Sequence, residues 1–180
     1  AADTREGRSR ACTDGRRAAA DVAMELVTAR LRLRPWCAED LEALHVLWSD
    51  PKTIWWGPST SIDDTRRVLE TILTQRTWWA VCLGDDVIGN VFLRPSSRRA
   101  GALELGYHFR STHWGHGYAT ESARAVLATA PEVLVEAPIV PDNTRSQQVV
   151  KRLGFSIGAQ LMHAGRPHDL WERAPRPTAP

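Results

Sequence analysis

The pattern of apolar and polar positions predicts a strand followed by two helices in the first part of the chain. Leucine and arginine alternate through residues 28–35, which is typical of a strand with one buried face. Residues 38–48 instead repeat large apolar side chains at helical spacing, so one side of this helix should be buried. Ser61 followed by Asp64 matches a capping box, and residues 61–73 continue as a second amphipathic helix.

The rest of the chain alternates between strand-like and helix-like segments. Two apolar runs around Gly84, Asp85 and Asp86 predict a hairpin in residues 77–95. The later segments are a strand over 102–109, a helix over 118–129, a strand over 133–137, a helix over 142–154, and strands over 155–162 and 168–173. The order β-α-α-β-β-β-α-β-α-β-β predicts an α+β, or mixed α/β, domain built around one sheet.

Length and composition are those of one globular domain. The chain has 180 residues, of which 43% are hydrophobic and 24% charged. A net charge of +2 without a long basic block argues against a nucleic-acid partner, and no apolar run is long enough to cross a membrane. The composition predicts a single domain over residues 24–174. It predicts that residues 1–23 are a disordered or added extension and that residues 175–180 are a disordered tail.

The cysteines and histidines argue against a metal site. Cys12, Cys37 and Cys82 are far apart, odd in number and form no CxxC pair, which favours a reduced, cytoplasmic setting. The six histidines show no metal-ligand spacing supported by a carboxylate partner. We therefore expect no metal.

Two glycines precede the helix predicted at 118–129. Gly115 and Gly117 lie one residue apart in the segment WGHGYATES, directly after a predicted strand. Such a segment directs backbone N–H groups and the positive end of the helix dipole at one point, where a phosphate binds well. The alternative is a glycine turn followed by an ordinary helix start.

A second motif lies in the segment PDNTRSQQVVKRLGF, residues 141–155. It begins a helix with Asn143, places Ser146 one turn later and ends in Leu-Gly-Phe. With these motifs the chain resembles the GNAT superfamily of acyl-CoA-dependent N-acetyltransferases, most closely the RimJ/RimL group, which acetylates N-terminal amines of ribosomal proteins. The resemblance covers residues 24–174 and rests on five segments in family order: TARLRLRP, WSDP, LELGY, WGHGYATESARAVL and DNTRSQQVVKRLGF.

The resemblance implies a GNAT-type fold and an acetyl-CoA site. The fold would be a mixed, mostly antiparallel sheet of about seven strands with four helices, splayed between the fourth and fifth strands. The pantetheine arm would lie in that gap and pair with the fourth strand, while the glycine loop would bind the pyrophosphate. The residues implied in donor binding are Tyr107, His108, Phe109, Trp114, Gly115, His116, Gly117, Tyr118, Ala119, Thr120, Asn143, Arg145 and Ser146.

The resemblance also implies the reaction, in which a primary amine attacks the acetyl thioester directly within a ternary complex. Glu104 matches the position of a general-base carboxylate, and the alternative is a solvent-facing strand residue. Many relatives carry a tyrosine acid where this chain has Val150, so Ser146 is the implied proton donor to the departing thiolate. Ser146 could equally be a first-turn residue that bonds to backbone.

The acceptor side of the resemblance is a tryptophan-rich loop. Trp55 and Trp56 lie in the segment DPKTIWWGPSTSIDD, and with Glu104 they are the expected substrate-binding residues. The RimJ/RimL likeness favours a peptide N-terminal amine. Two alternatives stay open: a small-molecule enzyme such as an aminoglycoside 6'-N-acetyltransferase, and a non-catalytic acyl-CoA-binding regulatory module. A bacterial enzyme of this kind would act as a monomer or homodimer.

Overall fold

The computed structural model describes residues 24–53, 61–130, 132–163 and 165–175. The predictions for residues 1–23 and 176–180, and those for Trp55 and Trp56, lie outside the described residues.

The described chain forms a mixed α+β fold. Its helices are α1 (Leu41–Ser49), α2 (Ile62–Thr74), α3 (Tyr118–Ala128) and α4 (Thr144–Arg152). Its strands are β1 (Leu26–Val27), β2 (Arg32–Pro35), β3 (Trp78–Leu83), β4 (Asp86–Pro95), β5 (Leu103–Phe109), β6 (Val135–Ile139), β7 (Ser156–His163) and β8 (Arg166–Arg173).

The helix ends follow the signals in the sequence. The predicted capping box of α2 is present: Ser61 Oγ accepts from Asp64 N at 3.2 Å, and the Asp64 carboxylate accepts from Ser61 N at 3.2 Å. Gly154 follows α4 with a φ of 84°, the left-handed conformation that commonly ends a helix.

The strands form one sheet in the order β1-β2-β3-β4-β5-β6-β8-β7. The pairing is antiparallel throughout except between β5 and β6, so the predicted mixed, mostly antiparallel sheet is confirmed. The sheet of the described residues has eight strands where about seven were expected. The additional strand is β1. A tight turn joins it to β2, and in this turn Thr28 N donates to Leu31 O at 2.9 Å.

Helices cover both faces of the sheet. Alternate side chains of β3 point to opposite faces, so Val81 packs in one buried cluster while Ala80 and Cys82 pack in another. The first cluster includes residues of α3 and α4, and the second includes residues of α1 and α2. The sheet is therefore the middle of three layers.

The sheet opens between β5 and β6. Only two residue pairs join these strands, Leu103 with Val135 and Glu104 with Glu136. Because β5 stays paired with β4 as far as Phe109, its opposite edge runs on past Glu104 without a neighbouring strand in the described chain. The splay predicted at the fourth and fifth strands is thus present at β5 and β6, which are renumbered by the extra strand.

Candidate active site

A cleft of about 930 Å³ follows the splay of the sheet, and we call it the main cleft. It is bounded by the end of β5, the loop before α3, and the first turns of α3 and α4. The residues predicted for donor binding all line it: Tyr107, His108, Phe109, Trp114, Gly115, His116, Gly117, Tyr118, Ala119, Thr120, Asn143, Arg145 and Ser146. The fold therefore brings two motifs that are distant in sequence to one cavity.

The loop before α3 supplies backbone N–H groups to the main cleft. Gly115 and Gly117 have φ values of 84° and 81°, a conformation that glycine adopts without strain. Gly117 is the N-cap of α3 and has no side chain to satisfy the helix amides. Within the described chain, the N–H groups of Gly115, His116 and Gly117 find no hydrogen-bond acceptor. Unpaired amides at a helix N-terminus form a suitable site for an anion.

Trp114 supports an arginine at this loop. The indole Nε1 of Trp114 donates to Phe109 O at 2.9 Å, which fixes the ring. The guanidinium of Arg145 stacks on that ring, with Cζ 4.7 Å from its centroid. The other arginines that line the main cleft are Arg30, Arg124 and Arg152. The cleft thus combines backbone donors with positive charge.

Glu121 of α3 holds the segment between β1 and β2 beside the glycine loop. Its carboxylate accepts from Thr28 Oγ1 at 2.6 Å and from Arg30 N at 3.1 Å, and it pairs with Arg30 Nη2 at 2.6 Å. Arg30 also stacks on Tyr118 at 4.6 Å. Burial acts to raise the pKa of Glu121, but the bonds from Thr28 and Arg30 outweigh it and lower that pKa. Glu121 therefore holds Arg30 at the cleft as a charged pair.

The open edge of β5 faces the main cleft, and one of its peptide oxygens, Phe109 O, already accepts from Trp114 Nε1 at 2.9 Å. Arg110 N donates to Ile88 O at 3.0 Å. Because peptide groups alternate in direction along a strand, those of His108 also face β4, whereas those of Tyr107 and Phe109 face the open edge. An extended ligand could pair there as an added strand.

The first turn of α4 is fixed by hydrogen bonds to two residues of the cleft. Asn143 caps the helix, with Oδ1 accepting from Ser146 N at 3.1 Å. Tyr107 OH donates to Ser146 O at 3.0 Å, and burial raises the pKa of Tyr107, which keeps the phenol protonated. The Ser146 hydroxyl has no partner in the described chain. Val150, the position at which the family resemblance implies a tyrosine acid, lies fully buried in the core.

A smaller cavity of about 300 Å³, which we call the aromatic chamber, adjoins the main cleft where β5 and β6 separate. Its lining includes Glu104 and three aromatic side chains from α1, β3 and β4. The residues that line both cavities are Tyr107, His108, Asn143 and Ser146. A molecule in one cavity would therefore meet a molecule in the other at the first turn of α4.

Three aromatic rings form one wall of the chamber. The rings of Trp78 and Phe92 are 4.2 Å apart at 33°, and Trp48 meets His108 edge-on at 6.3 Å. Phe92 lies against the backbone of its strand partner Gly106, where an added Cβ would be 2.1 Å from Phe92 Cζ. Gly106 is therefore required for the ring to occupy this position.

Glu104 lies at the chamber as a buried, paired carboxylate. It is 4% exposed, so the alternative of a solvent-facing strand residue is wrong. Its Oε1 is 2.9 Å from Arg94 Nη2, and its Oε2 is 2.8 Å from Arg98 Nη2. Arg98 Nη2 is also 2.8 Å from Glu136, the strand partner of Glu104. Arg98 thus joins β5 to β6 at the last pair before the splay.

The histidines around the chamber differ in their surroundings. His108 has Nδ1 3.1 Å from Asn90 Oδ1, and burial lowers the pKa of His108 to about 3. His163 and His168 meet edge-on at 5.1 Å. Burial and the charge of Arg98 lower the pKa of His163. The rings of His108 and His163 are therefore neutral at pH 7.

Neither a metal cluster nor a membrane span is found in the described chain. It contains no group of three or more His, Cys, Asp or Glu side chains placed to hold a metal ion. None of its helices is long and apolar enough to cross a membrane.

The sequence of motifs around the main cleft matches a known family. A family model described as the acetyltransferase (GNAT) domain covers residues 30–156. The chain belongs to the GNAT acetyltransferase family. This GNAT chain is 29% identical over 144 residues to the uncharacterized N-acetyltransferase p20 of Bacillus licheniformis, a match covering 72% of the chain and 81% of that relative. The predicted membership and the N-acetyltransferase class are confirmed.

Solved GNAT structures with different acceptors share this fold. RimL, a ribosomal L7/L12 α-N-protein acetyltransferase solved with coenzyme A, has a TM-score of 0.69 at 20% identity, covering 84% of this chain and 98% of that one. The aminoglycoside acetyltransferase AAC(6')-Ib, also solved with coenzyme A, has a TM-score of 0.69 at 16% identity, covering 80% and 94%. At these identities the likeness shows the fold alone, so the acceptor of this GNAT enzyme has to be argued from its own residues.

Several residues of this GNAT site carried no signal in the sequence. Arg94 and Arg98 reach Glu104 from a neighbouring strand and from the loop after it, and no local motif indicates such a pair. Trp78 and Trp79 alternate on β3, so at least one of them should be buried in the core, but the pattern does not say which. In the structure Trp79 is buried in the core and Trp78 lines the chamber.

Proposed function

We propose that this GNAT enzyme transfers acetyl from acetyl-CoA to the N-terminal amine of a peptide by direct attack within a ternary complex. The observation that carries the proposal is the junction of two cavities at Tyr107, His108, Asn143 and Ser146. One cavity is built for an extended anion, and the other contains a buried carboxylate, Glu104. We expect the enzyme to work in the cytoplasm as a monomer or homodimer.

The residues of the main cleft fit acetyl-CoA. The unpaired amides of Gly115, His116 and Gly117 suit the pyrophosphate, and the arginines around them suit its charge. The open edge of β5 offers the N–H and C=O of Tyr107 and the N–H of Phe109 to the pantetheine arm, since Phe109 O is bonded to Trp114 Nε1. His108, whose peptide groups face β4, would contribute only its side chain.

The chemistry needs a proton acceptor and a path for the leaving group. The amine nitrogen forms a bond to the thioester carbonyl carbon, the carbon–sulfur bond breaks, and the amine loses a proton. Glu104 is the proposed acceptor of that proton, since a carboxylate has about four lone-pair sites and Arg94 and Arg98 use two. The Ser146 hydroxyl, free of protein partners in the described chain, is the proposed donor to the thiolate.

The charge of the chamber favours a peptide amine over an aminoglycoside. A polycationic drug requires an acidic cleft, but Glu104 already lies between Arg94 and Arg98. Asp64, in the cap of α2 and outside the lining of both cavities, is bonded to Ser61 and paired with Arg67. An α-amine, with a pKa near 8, also needs less help from a base than a lysine amine near 10.4.

A binding and turnover experiment tests this function. Thiol release from acetyl-CoA is measured with a peptide panel, together with the dissociation constant of acetyl-CoA by calorimetry. Gly117→Val should weaken acetyl-CoA binding about 100-fold, because a β-branched residue cannot hold the φ of 81° without distorting the loop. The matched control is Gly101→Val, which imposes the same strain at a φ of 78° in the β4–β5 loop and should leave the affinity intact.

Two outcomes would contradict the proposal. Unchanged acetyl-CoA affinity in Gly117→Val would remove the glycine loop from the donor site. Tight acetyl-CoA binding without acetylation of any amine in a broad panel would show that the protein is a binding module and not an enzyme that acetylates peptide amines.

A further inference from the structure

We propose that the acceptor amine is carried on an arylalkyl group, whose ring binds in the aromatic chamber against Trp48 and Trp78. An N-terminal aromatic residue of a peptide and a free arylalkylamine both present this chemistry. The inference rests on the proposed function, because it names the acceptor class of the same site.

The spacing along β5 places the aromatic wall at the right distance from Glu104. Alternate residues of a strand share a face, so Glu104, Gly106 and His108 point to the same side of β5. Phe92 lies over Gly106, two residues along from Glu104, which corresponds to about 7 Å. If the amine lies at Glu104, a group joined to it through one or two carbons would therefore contact the aromatic wall.

The two tryptophans of the wall have ring surface available to a ligand. Phe92 is 7% exposed and is covered by Arg94, whose Cζ is 4.9 Å from its ring centroid, whereas Trp48 and Trp78 are partly exposed and line the chamber. The indole Nε1 atoms of both are inaccessible to water and have no hydrogen-bond partner in the described chain. An aromatic ring would pack against the exposed surface of these two rings, whereas their buried Nε1 atoms are out of reach of a ligand in the chamber.

The charges around the chamber disfavour an acceptor with a second positive group. The only carboxylate lining the chamber within the described residues is Glu104, and both of its oxygens face arginines. Arg94 itself lines the chamber, and the ring of His163, which also lines it, is neutral and does not offset the charge of this guanidinium. A lysine side chain or a polyamine would find a guanidinium without a free carboxylate to balance it.

The experiment compares acceptors that differ only in the group next to the amine. Acetyl transfer is measured at saturating acetyl-CoA for peptides identical except for a first residue of phenylalanine, alanine or lysine, and for phenylethylamine and spermidine. The phenylalanine peptide should exceed the alanine peptide about 10-fold in kcat/KM, with the lysine peptide and spermidine lowest. Turnover of the phenylalanine peptide without turnover of phenylethylamine assigns the ring to a peptide. Turnover of phenylethylamine without turnover of any peptide assigns the ring to a free amine and overturns the peptide acceptor of the proposed function.

Matched variants separate ring binding from stability. Trp48→Leu and Trp78→Leu should each raise KM for the aromatic acceptor about 10-fold without changing KM for acetyl-CoA. Trp36→Leu is the control, because Trp36 is 5% exposed in the same buried cluster, also has an unpaired Nε1, and does not line the chamber. It should lower the melting temperature and leave KM unchanged.

The outcomes distinguish failure of the inference from failure of the function. Equal turnover of the phenylalanine, alanine and lysine peptides overturns the aromatic preference while the proposed function stands. An aromatic preference that survives in both chamber variants overturns the assignment to this wall. If one of the two chamber variants does not fold, the KM of the other variant and the acceptor preference of the wild-type enzyme test the inference. Absence of acetylation for every amine overturns the proposed function and the inference together.

Discussion

The main cleft and the aromatic chamber share four residues but are built from different parts of the chain. The main cleft depends on backbone: two glycines in left-handed conformation, two helix ends and an open strand edge. The chamber depends on side chains, namely its aromatic wall and the carboxylate of Glu104. A site made of backbone is retained whenever the fold is retained, whereas a site made of side chains changes with single substitutions. Family membership is therefore informative about the donor and much less so about the acceptor.

Removing the carboxylate tests whether the chamber takes part in the chemistry. Glu104→Gln should lower kcat/KM about 100-fold for a lysine-like amine and about 10-fold for an α-amine at pH 7, because the α-amine is already about one-tenth neutral. Initial rates between pH 6 and pH 9 measure this, and the loss should shrink at high pH. Glu70→Gln, an exposed glutamate of α2, is the control. A rate unchanged at every pH would leave Glu104 as a structural partner of its arginines.

The neutral His108 between the two cavities predicts a pH-dependent stability. Burial lowers the pKa of His108 to about 3, while the unfolded chain binds a proton near pH 6.5. Between these values the unfolded state binds more protons, so the free energy of unfolding should fall as pH falls, by up to about 1.4 kcal/mol per pH unit. Urea unfolding from pH 7 to pH 4 should show this contribution in wild type and not in His108→Gln. The exposed His116→Gln variant should behave like wild type, and identical slopes in all three proteins would contradict the prediction.

The smallest expected effect concerns the hydrogen bond that joins β5 to α4. Tyr107→Phe removes the bond to Ser146 O and should lower the free energy of unfolding by about 1 kcal/mol. Acetyl-CoA affinity should fall a few-fold, because the first turn of α4 borders both cavities. Tyr118→Phe is the stability control, since the Tyr118 hydroxyl has no hydrogen bond in the described chain. Equal stability of the two variants, measured by urea unfolding, would show that this bond contributes nothing.

The difference between the two cavities also explains which parts of the fold and of the site could be predicted from the sequence. The glycine loop and the cap at Asn143 were predicted because each leaves a local pattern of glycine or cap residues, whereas the splayed sheet was predicted only from the family resemblance. The pair between Arg30 and Glu121 was missed because it spans 91 residues. The partners of Glu104 are only 10 and 6 residues away, but they lie on the neighbouring strand and in the loop after it, where no local motif indicates the pairing. Glu104 was placed on a strand, but the strand pattern alone could not decide between burial and exposure. The domain limits at 24 and 174 and the roles of the site residues stay predictions.

Binding of the proposed donor at the open edge of β5 would link the lifetime of the protein to that donor. If the pantetheine arm pairs with this edge, it acts as a temporary strand that only the folded protein can accept. A ligand present at 100 times its dissociation constant adds about 2.7 kcal/mol to the free energy of unfolding. Proteolysis through transient opening would then slow roughly 100-fold when acetyl-CoA is plentiful. Degradation of the chain would report on the acetyl-CoA supply even without an acceptor.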